Sequence, residues 1–530
     1  MTHTNPHSPV LMIALDSAEP RLIERWTEDG TLPNLKRLRE IGSYGRLASS
    51  AKWLDGSPWP TFYTGLTPAD HGVYSHTQWQ AEQMKHAPVT PERYPIRPFW
   101  RCLSGTGRRV IAIDLPMTFP PEPFDGLEIY SLMNRDLLGP ERAPASHPKS
   151  LLDEMRQEFD FEDNLLGDEV WGMQHLEDLL LLRDQLIEGT RTMTKIAQTL
   201  MSREKWDLFI INFMVTHRGG HKLWNLSNSW ETIGAGKTYD ALQDVYVACD
   251  AAVGQLVSAA GAGVTLLVFS LHGNRLNSSR SCLLPKMLHR VLVRETKYGK
   301  EIRQRAYLRP LQMLKECIPS DVRLAHMRSR HLMPLASLLF KMNSWLLAAN
   351  GARAIDWTAT PAFTLVSDLQ GYVRVNLRGR EAFGIVEPGE EYDQLCSKIA
   401  EGLITFVDAD SGEPVIEVVE RTDQLFGRGR RLKDLPDLII RWAPSPAANH
   451  RAVASPRYGS ILWGMPGHHP TGRSGNHGPE GFMLAVGTAV KPGSKIEGAN
   501  ILDLAPTVCA LLKVPRPAEM CGKVIDLARS

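Results

Sequence analysis

The 530-residue chain has no Cys-x-x-Cys pair, and its seven cysteines (Cys102, Cys249, Cys282, Cys317, Cys396, Cys509 and Cys521) are odd in number and widely scattered. That pattern speaks against a disulfide framework and fits reduced, mostly buried thiols. Charge of one sign is not in excess either. With 60 basic and 59 acidic side chains, nothing calls for a nucleic-acid surface or a polyanionic partner, so a small or uncharged-surface partner is the default. Long apolar runs are missing too. The most apolar late stretch, 332–349, is broken by Lys341 and Asn343, short of the roughly 20 residues a membrane span needs. The N-terminal residues lack a basic segment ahead of a long apolar one. Val10 to Leu15 is only strand length and ends at Asp16, so no signal peptide and a cytoplasmic location are expected. Internal repeats and low-complexity tracts are absent as well.

What is present is an ordinary globular composition, 43% hydrophobic and 22% charged, in a chain too long for one ordinary domain. Short apolar runs followed by helical patterns recur: VLMIAL, RRVIAIDL, WDLFIINFMV, VTLLVFSL and, late, FMLAVG. Runs of this kind are buried on both faces, the mark of a parallel sheet covered by helices. Helices are expected over 179–203 and 238–259. The fold class is therefore α/β, a doubly wound, mostly parallel sheet flanked by helices, with an inserted helical lobe and a small α/β cap. The expected divisions are a first part of the core over 1–273, the lobe over 274–356, the cap over 357–445 and the rest of the core over 446–530. Across the last boundary, 443–474 is rich in Pro, Gly and Ser and reads as a long loop. Functional groups of such sheets gather at the carboxyl ends of strands. Asp16, His217 and His272 all stand at or just past strand ends.

Six blocks carry a resemblance. LMIALDSAEPRLIERWTEDGTLPNLKRLREIGSYGRL, WPTFYTGLTPADHGVY, THRGGHKLW, VFSLHGN, GNHGPEGFMLAVG and ILDLAPTVCALLKVPRPAEMCGKVI run in order from residue 11 to residue 525. They resemble the type I phosphodiesterase and nucleotide-pyrophosphatase family of the alkaline-phosphatase superfamily. GYVRVNLRGREAFGIVEPGEEY and LPDLIIRW are similar to it as well. The resemblance implies two divalent ions at the carboxyl edge of the sheet, zinc first, with manganese or iron admissible. The implied pattern has an Asp ending the first strand, a hydroxyl nucleophile before a helix, Asp-x-x-x-His, Asp-His and a final His. Asp16, His221, His272 and His477 match it.

Three positions depart from the pattern. His217 replaces the first Asp of Asp-x-x-x-His, Leu271 replaces the Asp of Asp-His, and Asp55 stands at the nucleophile position. Read as chemistry, His217, His221 and His477 form a three-histidine zinc set that leaves a position open for water. His217 and His221, four apart, share a face if helical. Asp16, Asp55 and His272 make the second set, with Asp55 restoring the carboxylate lost at Leu271. If Asp55 is a ligand, attack comes either from Ser57, at the positive end of the helix it precedes, or from metal-activated water directly. The direct route is preferred, and Asp55 as an acyl-phosphate-forming nucleophile is a third option.

Plainer roles stand beside these. Asp16 and Ser57 are ordinary helix caps, Asp55 before Gly56 is an ordinary turn residue, and His71 in the ADHG turn fixes that turn. His468 and His469 belong to the loop. The expected activity is metal-dependent hydrolysis, or transfer, of a phosphate monoester, phosphodiester or nucleotide-pyrophosphate-like bond in a small anionic ester. The alternatives are a catalytically silent metal- or ligand-binding descendant and different metal chemistry on a substrate without phosphorus.

Overall fold

Val10–Leu15 forms a strand whose six residues are all buried. Side chains alternate across a strand, and here they enter two separate cores. Leu11, Ile13 and Leu15 pack with residues of the helices Pro20–Glu28, Leu176–Arg203 and Ala241–Ala260. Val10, Met12 and Ala14 pack with residues of Pro58–Thr64 and Leu504–Leu511 on the other face. A helix layer on each side explains why the run carries no polar residue. The structure, a computed structural model, describes residues 8–133, 143–161, 176–224, 240–299, 356–464 and 469–528.

The nine strands of the central sheet follow the order Ala499–Asn500, Ser43–Ala48, Glu480–Val486, Thr265–Ser270, Val10–Leu15, Leu208–Phe213, Val110–Ile113, Gly126–Tyr130 and Ala145–His147. The five apolar runs picked out in the sequence all form strands of this sheet. The central pairs are parallel, with Val10 opposite both Leu208 and Thr265. Glu480–Val486 runs antiparallel to Thr265–Ser270, with Phe482 opposite Ser270. Its first residues therefore lie at the edge where Val10–Leu15, Leu208–Phe213 and Thr265–Ser270 end. That geometry brings His477 to the same edge as Asp16, His217 and His272. A short antiparallel ladder finishes the approach, Asn274 lying opposite His477.

A second, four-stranded antiparallel sheet follows the order Ala362–Thr364, Gly371–Val375, Leu438–Trp442 and Ile416–Arg421. The helices Leu284–Glu295 and Glu390–Leu403 bury their apolar residues against it. Leu284–Glu295 lies in the span expected as an inserted lobe, yet it packs with the cap. Residues 300–355 of that expectation lie outside the described residues. The stretch 443–474, expected as a loop, contains strands at Ala452–Ser455 and Gly459–Leu462. Val453, Ile461 and Trp463 join the apolar core of the cap. Each strand is only four residues long, too short for alternation to show among turn residues. Core and cap meet through a shared apolar cluster, with Leu54, Tyr74 and Trp79 against Trp357, Tyr372 and Ile439.

Helix ends are tied across the fold. Pro33–Ile41 begins after Leu32, which supplies no side-chain cap. Asp250, on the helix Ala241–Ala260, caps it instead: Oδ1 accepts from Leu35 N at 2.7 Å, and Oδ2 accepts from Asn34 N at 3.1 Å and Nδ2 at 2.9 Å. Asp250→Ala is expected to cost about 2 kcal/mol, because three donors lose a charged acceptor in a buried contact. A urea-unfolding midpoint indistinguishable from wild type would count against this capping role.

Candidate functional site

The loop after the first strand is bent sharply. Ser17 sits at φ 57°, a left-handed value that a non-glycine residue holds only when its surroundings impose it. Here Asn274 Nδ2 donates to Ser17 O at 2.9 Å, and Thr216 Oγ1 donates to Asp16 O at 2.6 Å. The bend turns the Asp16 carboxylate toward the helix Val215–Leu223, where Asp16 Oδ2 meets His217 Nδ1 at 2.9 Å. Trp59 Nε1 donates to Asp16 Oδ1 at 3.2 Å. Burial disfavours the charge of Asp16, but His217, then His272 and Trp59, hold its pKa below the ordinary carboxylate range.

His217 and His221 share a face of their helix, as their spacing implied. Their Nε2 atoms are 2.8 Å apart, and His477 Nε2 lies 3.1 Å from His217 Nε2. The outer nitrogens show which tautomer each ring adopts. A carboxylate and a carbonyl only accept, so Nδ1–H of His217 donates to Asp16 and Nδ1–H of His221 donates to Gly475 O at 3.1 Å. In the neutral rings both Nε2 atoms then carry lone pairs, and two lone pairs cannot hydrogen-bond to each other. One ligand atom from each of His217, His221 and His477 lies within 4.8 Å of the others, a grouping that could hold a metal ion. Burial pushes the pKa of His221 and His477 well below the ordinary histidine value, so both offer neutral nitrogens, the form a metal requires. The carboxylate–histidine pairing at His217 is the usual outer support of such a ligand.

The second expected set is not assembled in the same way. His272 packs against His477 with ring centroids 4.6 Å apart and the planes tilted by 55°, and Ser17 Oγ lies 3.2 Å from its Nδ1. Burial lowers its pKa to about 4. Leu271 is 1% exposed and belongs to the apolar cluster around Trp59 and Phe269. Asp55, expected as the replacement carboxylate, is engaged by the cap. Its Oδ2 accepts from Asp368 N at 3.0 Å and Leu369 N at 2.6 Å, and its Oδ1 accepts from Tyr372 Oη at 2.8 Å. Burial, and then Asp368, raise its pKa to about 6.

Ser57 is fully buried; its hydroxyl donates to Leu54 O at 2.7 Å, and Ser50 Oγ lies 2.7 Å from the same oxygen. That hydroxyl completes a turn beneath the helix Pro58–Thr64 and leaves no exposed oxygen to attack a substrate. His71 is likewise internal. Val73 N donates to its Nδ1 at 2.9 Å, its Nε2 meets Thr61 Oγ1 at 3.0 Å, and burial lowers its pKa to about 3. His469 is tied to Thr471 and Ser279, while His468 lies outside the described residues.

Sequence reasoning missed Asp368 and Arg473. Arg473 Nη1 donates to Asp368 Oδ1. The Arg473 charge acts on His221 and His477, as does that of Asp368. Asp368 sits in LVSDLQGY, which has no chemical signature, and it reaches the site from the cap. No spacing rule could have found it.

Comparison with known proteins agrees with this architecture. The family model for type I phosphodiesterase / nucleotide pyrophosphatase matches residues 10–308, more than half of the chain. No curated protein matches by sequence. Among solved structures, phosphonoacetate hydrolase from Sinorhizobium meliloti 1021, in complex with phosphonoformate, aligns over 96% of each chain with 10% identity and a TM-score of 0.50. Murine ectonucleotide pyrophosphatase / phosphodiesterase 5, in complex with AMP, aligns over 96% of each chain with 11% identity and a TM-score of 0.48. The fold is alkaline-phosphatase-like. No helix among the described residues is long and apolar enough to cross a membrane. With its strand-end site and these matched blocks, the chain belongs to the type I phosphodiesterase / nucleotide pyrophosphatase family, a family of phosphoester-cleaving enzymes.

Proposed function

We propose that the protein is a metal-dependent hydrolase of a small anionic phosphoester, with one working ion held by His217, His221 and His477. The observation that carries this reading is the contact between the His217 and His221 Nε2 lone pairs at 2.8 Å, which a cation relieves. A divalent ion on three neutral imidazoles supplies Lewis acidity and lowers the pKa of water to about 7. Zinc suits that donor set best, with manganese or iron as the alternatives.

The chain's own residues do the rest. Asp16 fixes the tautomer and tilt of His217 while Trp59 holds its other oxygen. The Gly475 carbonyl does the same for His221. Asp16 and His272 remain of the second expected set, but Asp55 has both oxygens engaged by the cap and Leu271 offers no donor. Two groups, one of them already supporting His217, make a poor second site, so the single-ion form is preferred over the two-ion form. With the Ser57 hydroxyl enclosed and Asp55 clamped, direct attack by water is preferred over a covalent intermediate on either residue.

Two measurements test this reading. After incubation with zinc and dialysis, elemental analysis is expected to give about one equivalent, lost in His217→Ala/His477→Ala. Asp16→Ala should weaken zinc binding about 10- to 100-fold. Two equivalents would restore the second site, and no uptake of zinc, manganese or iron would favour a catalytically silent descendant. The second measurement is hydrolysis of bis(4-nitrophenyl) phosphate and 4-nitrophenyl phosphate by the metal-loaded protein. Ser57→Ala is expected to keep kcat within a few-fold of wild type, since only a nucleophile's loss removes orders of magnitude. Collapse to background at unchanged metal content would reinstate Ser57.

A further inference from the structure

The segment 473–477 is laced to the helix that carries His217 and His221. Ser474 N donates to His221 O at 2.9 Å, and Gly475 O takes the His221 ring proton. Gly475 has no room for a side chain, since a Cβ there would lie 2.0 Å from Gly220 O. Arg473 stands at the start of this strap. Asn277 Nδ2 donates to its carbonyl at 3.0 Å, and its side chain is only 11% exposed. A guanidinium is thereby held near the histidine cluster, where its charge acts on His221 and His477.

The carboxylate facing Arg473 belongs to Asp368, whose backbone is fastened from several sides. Its N–H donates to Asp55 Oδ2, and its carbonyl accepts from Ser279 Oγ at 3.2 Å and Asn476 Nδ2 at 3.4 Å. Nearby, Gln370 Nε2 donates to Lys52 O at 3.1 Å. The backbone is fixed, but the Asp368 side chain is still 38% exposed. That exposed side lets another anion reach the pair and displace the carboxylate.

We infer that Arg473 binds the phosphoryl oxygens of the substrate, and that Asp368, positioned by Asp55, occupies the guanidinium until the substrate displaces it. A carboxylate and a phosphate present the same acceptor geometry to a guanidinium, so Asp368 stands in for the ligand. Asp55 is then a positioning residue: the position that carries a nucleophile in the family pattern here anchors the loop bearing the competing carboxylate. This inference rests on the hydrolase reading above and names the group that grips the anion of its substrate.

The test is a double-mutant cycle read by calorimetric binding of inorganic phosphate to zinc-loaded protein, with zinc content measured for each variant. Arg473→Ala is expected to weaken phosphate binding about 10- to 100-fold, the range for losing a charged hydrogen-bonding partner. Arg473→Lys should recover only part of the loss, because the planar fork is gone. Asp368→Asn should tighten binding about 5- to 10-fold by removing the competitor, and Asp55→Asn should tighten it less. In Asp368→Asn/Arg473→Ala the tightening should vanish, since there is no guanidinium left to release. Unchanged affinity in Arg473→Ala at full zinc content would overturn the inference, as would tightening that survives the loss of Arg473. Zinc-loaded wild type that binds no phosphate would overturn it too. The same cycle on metal-free protein separates the two claims. Arg473-dependent binding there would uphold this inference even if the metal reading fell.

Discussion

Two imidazole nitrogens whose lone pairs face each other at 2.8 Å are the constraint on which the rest of this site depends. Each ring is held in that pose from outside, His217 by the Asp16 carboxylate and His221 by the Gly475 carbonyl. Neither acceptor can change role, so neither ring can flip its proton inward while neutral. Burial in turn keeps His221 and His477 neutral. Left to themselves, such groups would move apart. The sheet edge, the bend at Ser17 and the strap after Arg473 hold them together.

Two positions read in the sequence as departures from the family pattern are engaged in packing here. Leu271 joins the apolar core around Trp59 and Phe269. Asp55 accepts from a cap loop and from Tyr372. The two changes are compatible physically. A cap closely joined to the core through Leu54, Tyr74 and Tyr372 buries Asp55, and a buried carboxylate must find donors. Backbone N–H groups of the cap provide them. The same contacts give Asp368 a fixed position.

The fold was largely legible because its central strands are buried on both faces and so carry unbroken apolar runs that no other element needs. The candidate ligands were legible in part. His217 and His221 lie four apart on one helix, and Asp16 and His272 end strands, so local rules place them. The contact of Asp16 with His217 was harder to read, because it depends on the bend at Ser17, which no local rule records. The hairpin formed by Ala452–Ser455 and Gly459–Leu462 was hidden because each strand is four residues long and sits among turn-forming residues.

The sequence by itself determined the α/β class, the strand ends that carry polar groups, and a leucine at 271 and a carboxylate at 55 where the resemblance implies a carboxylate and a hydroxyl, since these are properties of local pattern and residue type. Tertiary structure alone decided that Asp55 faces the cap, that Ser57 is enclosed, and that Asp368 and Arg473 meet beside the histidines. Those outcomes rest on contacts such as Asp55 with Leu369 and Arg473 with Asp368. Their partners lie far apart in the chain, and no periodicity or spacing records which segments the folded sheet brings together.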